Sequence, residues 1–170
     1  SDDITWTGTY TPTADVEDST NVLTLGTNWT DTAGNAYAGV ATPTANFTID
    51  TSTPSIGAIG TGAFSWGTHL NATEDNNNGT VTVTTTGVED GQTVTITLNG
   101  STYTNTVSSD ATTVTITAAG LQGLTEGSVT MTADVSDAAG NAAAQVTSSA
   151  FTYDKTCLLY TSPSPRDLST

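Results

Sequence analysis

Asp137-Ala138-Ala139-Gly140-Asn141 decides the reading of this chain, because Asp31-Thr32-Ala33-Gly34-Asn35 is an earlier copy of it and the flanks repeat as well. Eight residues before each Asp an apolar run begins: Val129, Met131, Ala133 and Val135 in one copy, Leu23, Leu25 and Trp29 in the other. Downstream, Phe47-Thr48-Ile49-Asp50-Thr51 matches Phe151-Thr152-Tyr153-Asp154-Lys155-Thr156. Apolar residues alternating on both sides of an Asp/Gly/Asn turn are the pattern of a β-hairpin. Its recurrence at the end of two stretches marks a repeated domain.

The same period of two runs through the middle of the chain. Val81 and Val83 alternate with Thr80, Thr82 and Thr84, and Val94, Ile96 and Leu98 with Thr93, Thr95 and Thr97. This is how a strand with one buried face reads. Asn99-Gly100 predicts a type I′ turn, which needs positive φ at both central residues. Further strands are expected around Thr102–Val107 and Thr113–Thr117, and Gly57, Gly60, Gly62 and Gly67 should break Ser55–Leu70 into two short pieces. Ala118–Leu124 has room for one helical turn at most. Seven strands with turns every 8–12 residues predict an all-β fold, a two-sheet antiparallel sandwich, over residues 54–156. Its core should hold Val83, Val94, Ile96, Val114, Ile116, Val129, Met131, Val135 and Phe151, with the intervening threonines outside.

Residues 1–50 carry only the closing part of a first such domain, and 51–53 form a linker. Ile4, Trp6 and Tyr10 alternate with threonines in one expected strand and Asn21–Thr30 forms another, with Trp6 and Trp29 each on the inward register. About three strands are too few to close a core. Starting in mid-pattern at Ser1-Asp2-Asp3-Ile4, the chain reads as a piece of a longer polypeptide. Residues 157–167, Cys-Leu-Leu-Tyr-Thr-Ser-Pro-Ser-Pro-Arg-Asp, look like a translated sequencing-library adapter with Leu168-Ser169-Thr170 as run-on, so 157–170 are read as a non-native tail.

The charge balance narrows the function classes. Seventeen acidic residues face two basic ones, for a net charge of −15. Without the tail, the only Cys and Arg166 disappear, and Lys155 is the single basic side chain left. Binding nucleic acid or anionic lipid depends on Lys/Arg contacts to phosphate, so neither is an expected partner. No apolar run is long enough to span a membrane as a helix. The surface should instead attract cations.

Residues 54–156 resemble the bacterial Ig-like repeats strung in tandem along large surface adhesins and biofilm-associated proteins. The resemblance rests on Leu70-Asn71-Ala72-Thr73-Glu74-Asp75-Asn76, Gly87-Val88-Glu89-Asp90-Gly91-Gln92-Thr93-Val94, Asn99-Gly100, Asp137–Asn141 and the exits at Asp50 and Asp154. Residues 1–50 resemble the C-terminal half of a sister repeat through Asp31–Asn35 and Phe47–Asp50. Lys155 departs from the pattern, which usually has a small residue there. The resemblance implies an Ig-like fold, a stalk or adhesive role on the bacterial cell surface, and calcium bound at domain junctions.

Strand order alone points to the same ion. If strands run up and down in sequence, the loops holding Glu89 and Asp90, Asp110, and Asp137 with Asn141 share the pole where Asp50 enters. Asp15, Glu17 and Asp18 of the first domain are expected opposite them. Like charges in such proximity repel by several kcal/mol near a protein surface, on the order of the Coulomb term at intermediate dielectric. Calcium, which takes oxygens from carboxylates, Asn and backbone carbonyls, would relieve this. The candidate ligands are Asp50, Glu89, Asp90, Asp137 and Asn141. The competing reading is that these are hydrated turn residues, since Asp and Asn also favour turns by bonding their own backbone. Glu74, Asp75, Glu126 and Asp154 form a weaker mirror cluster at the far pole.

No catalytic constellation is expected. His69 is the only His and lies in a polar turn without a nucleophile beside it, and the carboxylates sit in short turns with no sign of a cleft. These features read as a structural spacer of a secreted adhesin, its partners being neighbouring repeats and a host or matrix surface. Two alternatives stand beside it: a glycan- or protein-binding module, with Trp66 as the candidate platform, and an accessory domain of a secreted hydrolase.

Overall fold

The computed structural model describes residues 8–156. The expectations for Ile4, Trp6 and the tail 157–170 concern residues outside that range. The described chain divides into two compact units, one running up to Thr53 and including Ala139–Asn141, the other comprising Pro54–Ala138 and the chain from Ala142 onward.

In the first unit, β1 (Glu17–Asn21) pairs antiparallel with β2 (Phe47–Asp50), with Glu17 opposite Asp50. The strand expected over Asn21–Thr30 is not formed; beyond β1 the ladder reduces to the isolated bridge Thr30↔Ala36 around the Asp31–Asn35 turn. Leu23, Leu25 and Trp29 are consequently exposed, Trp29 at 46 % and stacked on Tyr37 with ring centroids 4.5 Å apart. This corrects the inward placement of Trp29. Alternation orients side chains to one face, but burial needs an opposing sheet, and among the described residues the first unit has none.

The second unit is the sandwich. One sheet is β3 (Ser55–Ile56), β5 (Gly79–Thr86) and β8 (Ala111–Ile116), paired antiparallel in that order. The other contains β11 (Val146–Thr147), β10 (Thr132–Asp134), β6 (Thr93–Leu98) and β7 (Ser101–Thr106), beside a ladder of β4 (His69–Asn71), β12 (Phe151–Asp154) and β9 (Gly127–Val129). β9 and β10 are one strand interrupted at Thr130–Met131, and β11 and β12 one strand interrupted at Ser148–Ala150, so the two ladders continue one another. Ser148 mends the gap. Its hydroxyl accepts the Met131 N–H at 3.1 Å while its own N–H donates to Met131 O at 2.9 Å.

The N-terminal edge changes sheets. β3 pairs with β5, the chain then crosses over through the 3-10 turn Thr61–Ala63, and β4 pairs in parallel with β12. The glycine-rich stretch from Gly57 to Gly67 thus separates two short strands, as expected, and the second of them has changed sheets. A helix of five residues, α1 (Ala118–Gln122), follows β8, with Thr117 accepting the Gly120 N–H as its N-cap. Asn99 and Gly100 have φ of 48° and 77°, the type I′ turn joining β6 to β7.

The two inner faces close one core. Val81, Val83, Val94, Ile96, Val114 and Ile116 are fully buried, and Phe64, Trp66 and Phe151 pack ring against ring with centroids 5.3–5.5 Å apart. Trp66 is therefore a core residue, which removes it as a sugar platform. Val129 is half-buried and packs against the same core. Two threonines depart from the outside rule: Thr85 and Thr112 fall on the inward register of β5 and β8 and are buried. Asp75 is buried too, so it is not a member of a solvent-facing far-pole cluster.

Candidate metal centre

The predicted ligands in the second unit sit on loops that bind one another. Glu89 and Asp90 lie in the β5–β6 turn, shaped by positive φ at Gly87 and Gly91. Glu89 Oε2 accepts the Ala138 N–H at 2.9 Å, and Asp90 Oδ1 accepts the Ser109 N–H at 2.7 Å. Ser109 and Asp110 form the two-residue β7–β8 turn, both left-handed at φ 53° and 60°, closed by the Ser108↔Ala111 bridge. Asp137 is 4 % exposed and opens the last hairpin, which starts at the Ser136↔Ala142 bridge. Hydrogen bonds thus tie the Glu89–Asp90 loop to the Ser109–Asp110 turn and to Ala138 in the last hairpin.

Asp50 and Asn141 fall in the first unit. Asp50 is half-buried; its Oδ1 accepts the Ser52 N–H at 3.0 Å, and its carbonyl oxygen accepts from Asn141 Nδ2 at 3.2 Å. The earlier hairpin shows the turn chemistry in full. Asp31 Oδ1 accepts the N–H groups of Ala33 and Asn35 at 2.9 and 2.8 Å, and Oδ2 accepts from Asn35 Nδ2 at 2.8 Å. The Asn35 side-chain bond, then the backbone bonds, hold the Asp31 carboxyl below the usual carboxylate range.

The donor set suits a hard cation in kind, being oxygen only, and Glu89 and Asp90 each direct one carboxylate oxygen to a backbone N–H and keep a second. Among the described residues, no three His, Cys, Asp or Glu side chains stand together as a finished cage.

Three polar features have no precedent in the sequence reading. Tyr153 donates to buried Asp75, Ser148 mends the broken strands, and Glu126 grips the chain exit: its Oε1 accepts the Lys155 N–H at 3.0 Å and the Thr156 hydroxyl at 2.8 Å. The Thr156 hydroxyl first, then the Lys155 N–H, lowers the Glu126 pKa. Asp154 Oδ1 accepts the Thr156 N–H at 2.9 Å, repeating the turn of Asp50 onto Ser52. The one signal that could have found this exit was the shared Asp followed within two residues by Ser or Thr.

Residues 1–49 match the family model of a bacterial Ig-like domain. Among solved structures, the chain is 31 % identical to a bacterial immunoglobulin-like domain from the M. primoryensis ice-binding adhesin, over 59 % of this chain and 94 % of that one, with a TM-score of 0.40. It is also 31 % identical to a structure concerned with host cell surface retention of a 1.5-MDa bacterial ice-binding adhesin, over 79 % and 41 %, with a TM-score of 0.43. A third, from a Ca2+-stabilized adhesin that helps an Antarctic bacterium reach out and bind ice, is 28 % identical over 79 % and 31 %, with a TM-score of 0.41. The chain spans less than half the length of these last two. No curated protein matches it significantly.

Proposed function

The chain belongs to the bacterial Ig-like domains, and on that premise we propose that it is a stretch of spacer repeats from a cell-surface adhesin, working outside the cell as part of a stalk. One observation carries this reading: the same hairpin closes in both units. Thr30 bridges Ala36 around Asp31–Asn35, and Ser136 bridges Ala142 around Asp137–Asn141, at identical offsets from the Asp. A repeated unit whose second copy closes a core of its own is suited to setting distance and stiffness along an array. Its partners are then neighbouring repeats, with a host or matrix surface contacted elsewhere along the adhesin.

Calcium is the second part of the proposal. Glu89, Asp90 and Asp137, with Asp50 and Asn141, are its ligands in this reading, and the ion stiffens the repeat array. Support comes from the oxygen-only donors and from the three loops already tied by hydrogen bonds. Extracellular modules bind calcium at roughly 10⁻⁴–10⁻³ M, so the sites would fill outside a cell and empty within it. The test is calorimetry and small-angle scattering on a protein of two whole repeats, with and without chelator. Binding heat together with a stiffer loaded form is expected, and Asp137→Ala should abolish both. Absence of heat at millimolar calcium, with unchanged scattering, would reduce the acidic loops to solvated turns.

A further inference from the structure

Nothing in a spacer calls for Lys155. It stands where the first unit has Thr51, no basic residue precedes it in the chain, and the only other one is Arg166. A protease that requires Lys or Arg at the cut therefore finds one bond to open in residues 1–156, the one between Lys155 and Thr156. That bond lies just past the end of β12 at Asp154, and both of its residues are exposed. We infer that it is a guarded cleavage site for a protease that takes a basic side chain into an acidic pocket, and that Glu126 is the guard. The cut is a hydrolysis: the bond from the Lys155 carbonyl carbon to the Thr156 nitrogen breaks, and water supplies a hydroxyl to the new carboxyl and a proton to the new amine. Every strand of the second unit stays on one side of it.

The side chain is available and the backbone is not. Lys155 Nζ rests 5.7 Å from the centroid of the Tyr153 ring, a contact that holds an exposed ammonium only weakly. A protease binds the chain before its cut as an extended strand, through backbone groups like those of strand addition. Here those groups are occupied. β12 is held on both sides, with Tyr153 opposite Leu70 of β4 and Gly127 of β9, and Tyr153 is fully buried. Glu126, next to β9, then spans the scissile bond. Its Oε1 accepts the Lys155 N–H before the bond at 3.0 Å, and its two oxygens accept the Thr156 hydroxyl after it at 2.8 and 3.0 Å. Asp154 Oδ1 accepts the Thr156 N–H at 2.9 Å, which turns the chain where an extended one is needed. Exposing the bond to a protease thus requires release by Glu126 and fraying of the last residues of β12, a local opening that leaves the rest of the sandwich folded.

Trypsin digestion of the full chain, followed by mass spectrometry, tests this, with a free peptide of residues 150–160 as the unguarded reference. The peptide should be cut after Lys155 readily and the folded chain slowly; mass separates a product ending at Lys155 from one ending at Arg166. Glu126→Ala should raise the rate at Lys155 about three- to tenfold, the effect of losing exposed hydrogen bonds when cleavage follows the open population. The melting temperature should barely move. Glu126→Gln keeps an acceptor oxygen and should fall between, and Lys155→Gln should leave residues 1–156 uncut. Should Glu126→Ala fail to fold, Thr156→Ala removes the hydroxyl contact alone and should also speed the cut. Cleavage of the unaltered chain as fast as the peptide, or variants cut no faster than the unaltered chain, would overturn the guard. Variants left uncut at Lys155 while the peptide is cut would overturn the site. None of these results bears on the stalk reading, which stands or falls with the scattering experiment.

Discussion

Tyr153 donates its phenolic hydroxyl to Asp75 Oδ2 at 2.7 Å, although the two residues are 78 positions apart and both are buried. The bond fastens the turn after β4 to the last strand. Burial first, then the hydrogen bond and the charge of Asp75, pushes the Tyr153 pKa up to about 12 from 10.0. The proton is therefore held more tightly in the folded state than in the unfolded one. Stability from this pair should be complete below about pH 10 and decline as pH rises through about 12. Tyr153→Phe should abolish that alkaline limb. At neutral pH it should cost about 1–3 kcal/mol, because Asp75 stays buried without its donor. Denaturant titrations of both proteins across that range are the check.

Ser148→Ala is expected to cost roughly 1–3 kcal/mol, since it leaves the buried Met131 N–H without an acceptor. Ser148→Thr keeps the hydroxyl and should lose less. Hydrogen exchange at Met131 reports the break directly: protection should fall in the alanine variant alone.

The strand register can be tested at adjacent positions. Ile96 is fully buried and Thr95 half-buried on the opposite face of β6. Ile96→Ala should cost about 2–5 kcal/mol as a buried large-to-small change, and Thr95→Ala much less. Equal losses in equilibrium unfolding would contradict the observed facing. A complementary overpacking test is Gly79→Ala, whose added Cβ would collide with the Trp66 ring. It should lose about 1–3 kcal/mol.

The exit tie should respond to acid. Glu126 is an acid whose folded pKa is depressed below 4.5, so its contribution is present above that value and fades as pH falls through the lower, folded one. Amide exchange at Lys155 should therefore be protected near neutrality and lose its protection in strong acid. Glu126→Ala should remove the protection at every pH, and a protected amide in that variant would show that another group holds the exit.

Much of this fold was legible because alternation with period two is a strong signal where both sheets exist to bury it. Val81, Val83, Val94, Ile96, Val114 and Ile116 behave as their spacing predicts. Trp29 does not, although its spacing is as good, because a side chain's facing is local whereas its burial depends on a second layer. Asp75 was opaque for a related reason. In a run of Glu-Asp-Asn-Asn it reads as solvated, and only the arrival of Tyr153 from the far end of the domain makes its burial tolerable. For the candidate ligands, the expectation that the Glu89, Asp90 and Asp137 loops share a pole followed from strand order. The bonds of Glu89 and Asp90 to Ala138 and Ser109 did not, because backbone N–H groups leave no mark on a sequence.

Each unit ends on an Asp whose carboxylate closes a turn with an N–H two residues further along, Asp50 with Ser52 and Asp154 with Thr156. That closure uses only a side chain and a backbone N–H of the departing chain itself. The two turns should therefore keep their shape when the residues beyond Thr53 or Thr156 are exchanged for others.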